Sequence, residues 1–99
     1  MRYPGFVNEP LPGSEVRRLA KAIVVTGTVS YSDHALSEMA KDKLTKANVE
    51  SVLRSGSAGE GEWENGSWRY QMWTPGIVVV IVFRSATALV IVTAWRKRR

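Results

Sequence analysis

Gly61-Glu62-Trp63-Glu64-Asn65-Gly66-Ser67-Trp68-Arg69-Tyr70-Gln71-Met72-Trp73, residues 61–73, is the stretch whose reading decides the fold. Asn-Gly supplies the two positive φ angles that a type I′ turn requires, and it is the strongest short-range hairpin signal. A two-residue turn at Asn65-Gly66 fixes a register. Glu64 falls opposite Ser67, Trp63 opposite Trp68, and Glu62 opposite Arg69. An aromatic pair and an opposite-charge pair then face each other, as cross-strand energetics favour. A persistent Glu62–Arg69 ion pair would partly neutralise the arginine.

Outward from the hairpin toward the C-terminus, Thr74-Pro75-Gly76 makes a second turn. Ile77 to Phe83 is apolar on both faces, as a central strand is. Arg84 to Thr87 turns again, and Ala88 to Trp95 reads as a final strand. Toward the N-terminus, Ser55 to Gly59 reads as a flexible Gly/Ser link. Val16, Leu19, Ala20 and Ile23 recur at helical spacing, which predicts a helix over about 14–25, capped by Ser14 and ended by Gly27. Thr28 to Tyr31 is a short extended piece. Ser32 or Asp33 caps a second helix over about 33–42, and Thr45 a third over about 46–54, closed by Gly56. Helices first and strands after them predict an α+β domain, with two to three N-terminal helices packed on a four-stranded antiparallel sheet. Residues 1–13 read as an irregular lead-in, 14–95 as a single domain and 96–99 as a basic tail.

A chain of 99 residues allows one domain. It has no cysteine, which rules out disulfides, thiolate metal sites and a cysteine nucleophile. The net charge of +5 lies mostly in Arg96, Lys97, Arg98 and Arg99, because the rest of the chain has ten basic against nine acidic residues. Such a tail suits contact with nucleic acid or anionic lipid, or simple solvation. The N-terminus lacks the apolar core of a signal peptide. Each half of the apolar run 77–95 falls far short of the roughly 20 residues that span a bilayer as a helix, and both are rich in β-branched residues. No membrane association is expected.

Glycine loops for phosphate, HExxH and Gly-x-Ser-x-Gly are all missing, and the chain has one histidine. Glu60, Glu62 and Glu64 alternate on one strand face and read as polar surface. His34, on a helix face with Glu38 and Lys41, is the one side chain whose ordinary pKa lies near neutrality. Arg69 and Tyr70 with Trp68 and Trp73 interleave cations and aromatics, as a single-stranded RNA surface does. Alternation places Trp68, Tyr70 and Met72 on one face and Arg69, Gln71 and Trp73 on the other. Four tryptophans in so small a chain exceed what its core needs, so at least one is expected on a working surface.

The order of these residues resembles a known pattern. Ser32-Asp33-His34-Ala35, Met39, Leu44-Thr45, Val49, Val52-Leu53 and Gly56 form one block. Arg69-Tyr70 follows, then a valine-rich strand and Leu89-Val90-Ile91-Val92-Thr93-Ala94-Trp95. This resembles an uncharacterised bacterial domain family with a His-Ala-x-x-Arg-Met motif, similar to the BrnT-type toxins of the RelE/ParE superfamily. The resemblance implies a toxin-like, metal-free endoribonuclease of the mRNA-interferase type, cytoplasmic, acting on RNA and held by a cognate antitoxin, with a homodimer left open. It implies no cofactor. His34 would transfer a proton, Arg69 or Arg84 would stabilise charge on phosphate, and Tyr70 would orient the ribose or stack on a base. Lys41, Lys43, Trp73, Trp95, Arg96 and Lys97 complete the expected RNA-binding set. The motif arginine is Glu38 here, a charge reversal that removes one expected contact. The alternative is a non-catalytic RNA- or protein-binding module of the same fold.

Overall fold

The computed structural model describes residues 7–98, so the expected lead-in over 1–6 and Arg99 of the basic tail lie outside it. The elements run α1 (Gly13–Thr26), β1 (Thr28–Tyr31), α2 (Asp33–Lys41), α3 (Lys46–Ser55), β2 (Ser57–Ala58), β3 (Glu62–Glu64), β4 (Ser67–Trp73), β5 (Ile77–Ser85) and β6 (Ala88–Arg96). Among the described residues, no helix is long and apolar enough to cross a membrane.

The hairpin forms in the expected register, with Glu62, Trp63 and Glu64 paired to Arg69, Trp68 and Ser67. Asn65 at φ 51° and Gly66 at φ 82° supply the left-handed pair the turn needs. The Trp63 and Trp68 rings meet edge-on, 5.4 Å between centroids.

Among the described residues the sheet has six strands, not four. Their order is β1-β6-β5-β4-β2, with β3 also pairing β4. The short extended piece at residues 28–31 is a strand running parallel to β6. The Gly/Ser link is not free either, because Ser57 and Ala58 pair with Trp73 and Met72. Gly56 does not end α3 in a left-handed turn, since its φ is −73°. It is needed for close approach: a Cβ there would lie 2.6 Å from the Val52 carbonyl oxygen and 2.8 Å from that of Trp73. Arg84, expected in a turn, is an exposed residue near the end of β5, because the β5–β6 ladder continues to Ser85 and Ala88.

All three helices pack on one face of the sheet. Val16, Ala20 and Ile23 of α1, Ala35 and Met39 of α2, and Val49, Val52 and Leu53 of α3 share one buried cluster with Tyr70, Met72, Val79, Ile81, Phe83, Leu89, Ile91 and Ala94. These strand residues alternate, as one face requires, until β6 breaks parity between Ile91 and Ala94. The cause is a β-bulge. Val80 pairs with Thr93 but Ile81 pairs with Ile91, which leaves Val92 as an extra residue. The bulge turns Ala94 inward and Thr93 and Trp95 to the opposite face.

Ser32 holds that bulge. Its N–H donates to the Ile91 carbonyl at 3.0 Å and its hydroxyl to the Val92 carbonyl at 2.9 Å. The same hydroxyl oxygen accepts from the Ala35 N–H at 3.0 Å and so caps α2. Thr45 and Asn48 cap α3 reciprocally. By contrast α1 starts at Gly13 without a side-chain cap, its first N–H groups bonding to the Pro12 carbonyl. Removing the Ser32 hydroxyl takes away one cap and one contact to the bulge. Ser32→Ala is therefore expected to lower stability by about 1–3 kcal/mol in denaturant titrations, with faster amide exchange at residues 91–93.

Candidate functional site

The face away from the helices reads as rows across β4, β5 and β6. Trp73, Val78 and Trp95 form one row, and Gln71, Val80 and Thr93 the next. Arg69 lies two residues further along β4 on the same side. Val78 and Val82 are buried yet stand outside the helix-side cluster. The β3 hairpin strand turns Glu62 and Glu64 to the same side, because partners in an antiparallel ladder share a face.

Together these residues line a groove of about 230 Å³, formed by Glu62, Glu64, Arg69, Tyr70, Gln71, Val80, Thr93 and Trp95. The backbone fixes this set: the Asn65-Gly66 turn places Glu62 opposite Arg69 and Glu64 two residues away on the same face, and the Val92 bulge places Thr93 and Trp95. The expected Glu62–Arg69 ion pair does not form. The two residues are paired in register, but among the described residues no carboxylate lies within 4.0 Å of the Arg69 guanidinium. Arg69 Nε is buried and has no hydrogen-bond partner among them. A buried donor of this kind is costly to leave unmade.

Tyr70 behaves differently from its neighbour. Its side chain is fully buried, with the ring 5.6 Å from that of Phe83. Its hydroxyl donates to the Glu9 carboxylate at 2.8 Å and accepts from the Leu11 N–H at 3.0 Å. Burial pushes its phenol up to about 12, against the Leu11 N–H and with help from Glu9. Burial likewise raises Glu9, opposed by the Tyr70 hydrogen bond. A ring with no exposed surface cannot stack on a base or orient a ribose, so the expected catalytic role of Tyr70 is corrected to an internal anchor for residues 9–11. Its position decides this, since alternation turns it inward with Met72.

His34 is exposed in the first turn of α2, and Arg84 is exposed on β5; neither lines the groove. Glu38, at the place of the motif arginine, pairs with Lys41 at 2.8 Å. Lys43 sits at the α2–α3 turn with φ 56°, and its carbonyl accepts from Arg96 Nη2 at 3.3 Å. The basic tail is partly tied down. Arg96 donates from its N–H to the Asp42 carboxylate and from Nε to the Asp42 carbonyl, both at 2.8 Å, and Arg98 pairs with that carboxylate at 2.6 Å. The Arg96 N–H and the Arg98 guanidinium hold Asp42 below the usual carboxylate range despite some desolvation. These cations meet the C-terminal end of α2, where the helix dipole favours them. Lys97 is exposed, with Trp73 beside it at a second concavity. Among the described residues, no three His, Asp or Glu side chains gather as metal ligands.

A family model described as a domain of unknown function (DUF4258) matches residues 31–96. The chain belongs to that family. No curated protein and no solved structure matches it. The DUF4258 region holds β2 to β6, α2 and α3, and hence every lining residue of the groove; the α1 core residues and the Glu9–Leu11 contacts to Tyr70 precede it. Glu62, Glu64, Gln71, Val80 and Thr93 are the groove residues that sequence reasoning missed. The hairpin register carried the signal for the glutamates, because it sets them on Arg69's side.

If Tyr70 is an anchor, its hydroxyl matters for stability and its ring for packing. Tyr70→Phe is expected to cost about 1–3 kcal/mol by leaving the Leu11 N–H unsatisfied. Proteolysis should then cut sooner near residues 9–11, while binding at the open face is unchanged.

Proposed function

We propose that this protein is a toxin-like, metal-free endoribonuclease, working in the cytoplasm under a cognate antitoxin, with the open-face groove as its active site. The observation that carries the proposal is the Arg69 guanidinium sharing one groove with two carboxylates and an indole, none of the three charged groups paired among the described residues. The same assignment is what the resemblance of Ser32-Asp33-His34-Ala35, Arg69-Tyr70 and the closing strand to BrnT-type toxins implies.

RNA carries its own nucleophile. Cleavage needs a base to take the proton of the 2′-hydroxyl, positive charge on the phosphorane oxygens, and a proton for the leaving 5′-oxygen. Glu62 or Glu64 takes the first proton. The 2′-oxygen then bonds to phosphorus and the bond to the 5′-oxygen breaks. Arg69 donates to the equatorial oxygens, where its fork of N–H groups suits a phosphate. The protonated glutamate or water returns a proton to the leaving oxygen. The products are a 2′,3′-cyclic phosphate and a 5′-hydroxyl. Trp95 offers a face for a base, and Gln71 and Thr93 offer donors and acceptors to its edge.

One observation favours the alternative, a non-catalytic RNA-binding module: the histidine lies outside the lining set, so the groove holds no group whose ordinary pKa lies near neutrality. Purified protein incubated with RNA in the presence of a chelator decides between them. Cleavage with cyclic-phosphate ends is expected. Arg69→Ala should slow it by about 10²–10³-fold, and joint Glu62→Gln and Glu64→Gln by about 10²–10⁴-fold. Intact RNA with the wild-type protein, and harmless expression in bacteria, would leave only the binding module. Loss of cleavage in His34→Ala with the groove variants still active would move the chemistry to α2.

A further inference from the structure

The Arg69 groove does not stand alone. A concavity of about 520 Å³, lined by Gly59, Glu60, Gly61, Glu62, Gln71 and Trp73, shares Glu62 and Gln71 with it. A third, of about 460 Å³, shares Trp73 and adds Ser55, Ser57, Thr74 and Lys97. The three adjoin in series along β4. From Arg69 to Trp73 the strand alone spans roughly 13 Å, and Lys97 lies beyond.

We propose that Trp73 and Lys97 form a second nucleotide subsite in line with the Arg69 groove, so that the protein holds a single-stranded segment of several nucleotides along β4. This rests on the assignment of that groove to RNA. The half-buried Trp73 indole presents a ring to one base, and the Lys97 ammonium, with no carboxylate within 4.0 Å among the described residues, meets a phosphate. The Ser55 and Ser57 hydroxyls are exposed beside it. Trp73 and Trp95 flank Val78 in one row, two interstrand spacings or roughly 10 Å apart. Two bases can therefore stack at separate indoles.

The charge pattern selects the strandedness of the ligand. Cations stand at Arg69 and Lys97, with Glu62 directly opposite Arg69, Glu64 on its far side and Glu60 on the side toward Trp73. A duplex presents a continuous phosphate rail, which these carboxylates repel. A single strand can turn its bases inward there, so that base amino groups and ribose hydroxyls donate to Glu60, Glu62 and Gln71 while phosphates reach the cations.

The test uses 2′-O-methyl oligouridylates, whose blocked 2′-oxygen prevents cleavage, with a fluorescent end label and anisotropy as the readout. The wild-type protein should bind the hexanucleotide at least about tenfold more tightly than the dinucleotide, and the same hexanucleotide annealed to its complement should bind poorly. Trp73→Ala should remove about tenfold of the hexanucleotide affinity and little of the dinucleotide's. Lys97→Gln, on an exposed side chain that folding does not need, should weaken the hexanucleotide and flatten its salt dependence. Arg69→Ala should weaken both lengths. Equal affinity for the two lengths, no binding of the hexanucleotide, or hexanucleotide binding unchanged in both Trp73→Ala and Lys97→Gln would overturn the proposal. Because the probe is never cut, length-dependent binding without RNA cleavage would uphold the subsite and reject the nuclease.

Discussion

The open face depends on one extra residue, Val92, and on the serine that holds it. Without the bulge, strict alternation would send Thr93 and Trp95 to the helix side with Ile91 and expose Ala94. A buried tryptophan in place of Ala94 would not fit the core that α2 closes. Ser32 ties the choice to the rest of the chain, since one hydroxyl both caps α2 and bonds the bulge carbonyl. The helix that covers the core and the strand that builds the groove are therefore positioned by the same side chain.

From that constraint follows a division between two faces of one sheet. On the inner face, Tyr70, Met72, Ile81 and Leu89 meet the helices and supply the apolar burial that holds so short a chain together. On the outer face, Arg69, Gln71 and Trp73 stand beside Thr93 and Trp95, and among the described residues no helix covers them. The adjacent pair Arg69-Tyr70 illustrates the split. One residue faces a groove with an unmet donor, and the other is locked into the core by Glu9 and Leu11. A motif of two neighbouring residues thus has two separate uses, one at the site and one in holding the N-terminal segment.

Much of this was legible in the sequence where local chemistry decides. Asn65-Gly66 set the hairpin and its register, Ser32 and Thr45 marked two helix starts, and period-two patterning sorted the residues of β4 onto the correct faces. What escaped were features set by distant partners. The extended piece at residues 28–31 was legible but its parallel pairing with β6 was not, and the pairing of Ser57 and Ala58 with the end of β4 has no signal of its own in a Gly/Ser stretch. The bulge at Val92 has no local signature in an unbroken apolar run. The Glu62–Arg69 register was correct but did not imply an ion pair, because register aligns the backbones of two facing residues and does not by itself bring the ends of two long side chains together, here an exposed carboxylate and a partly buried guanidinium. The histidine drew notice by its chemistry, whereas the groove glutamates looked like ordinary surface until the fold set them around an arginine.

The central claim is that the open face, and neither the α2 surface nor the basic tail, receives single-stranded RNA. The most direct measurement is an NMR titration of the isotope-labelled protein with an uncleavable single-stranded oligonucleotide, following the indole N–H signals of the four tryptophans and the Arg69 Nε–H. The account predicts that Trp73, Trp95 and Arg69 Nε–H shift together and saturate at one stoichiometry, while Trp68 moves little because it packs against the core. Shifts confined to His34, Lys41 and residues 96–98, with the open face unmoved, would contradict it.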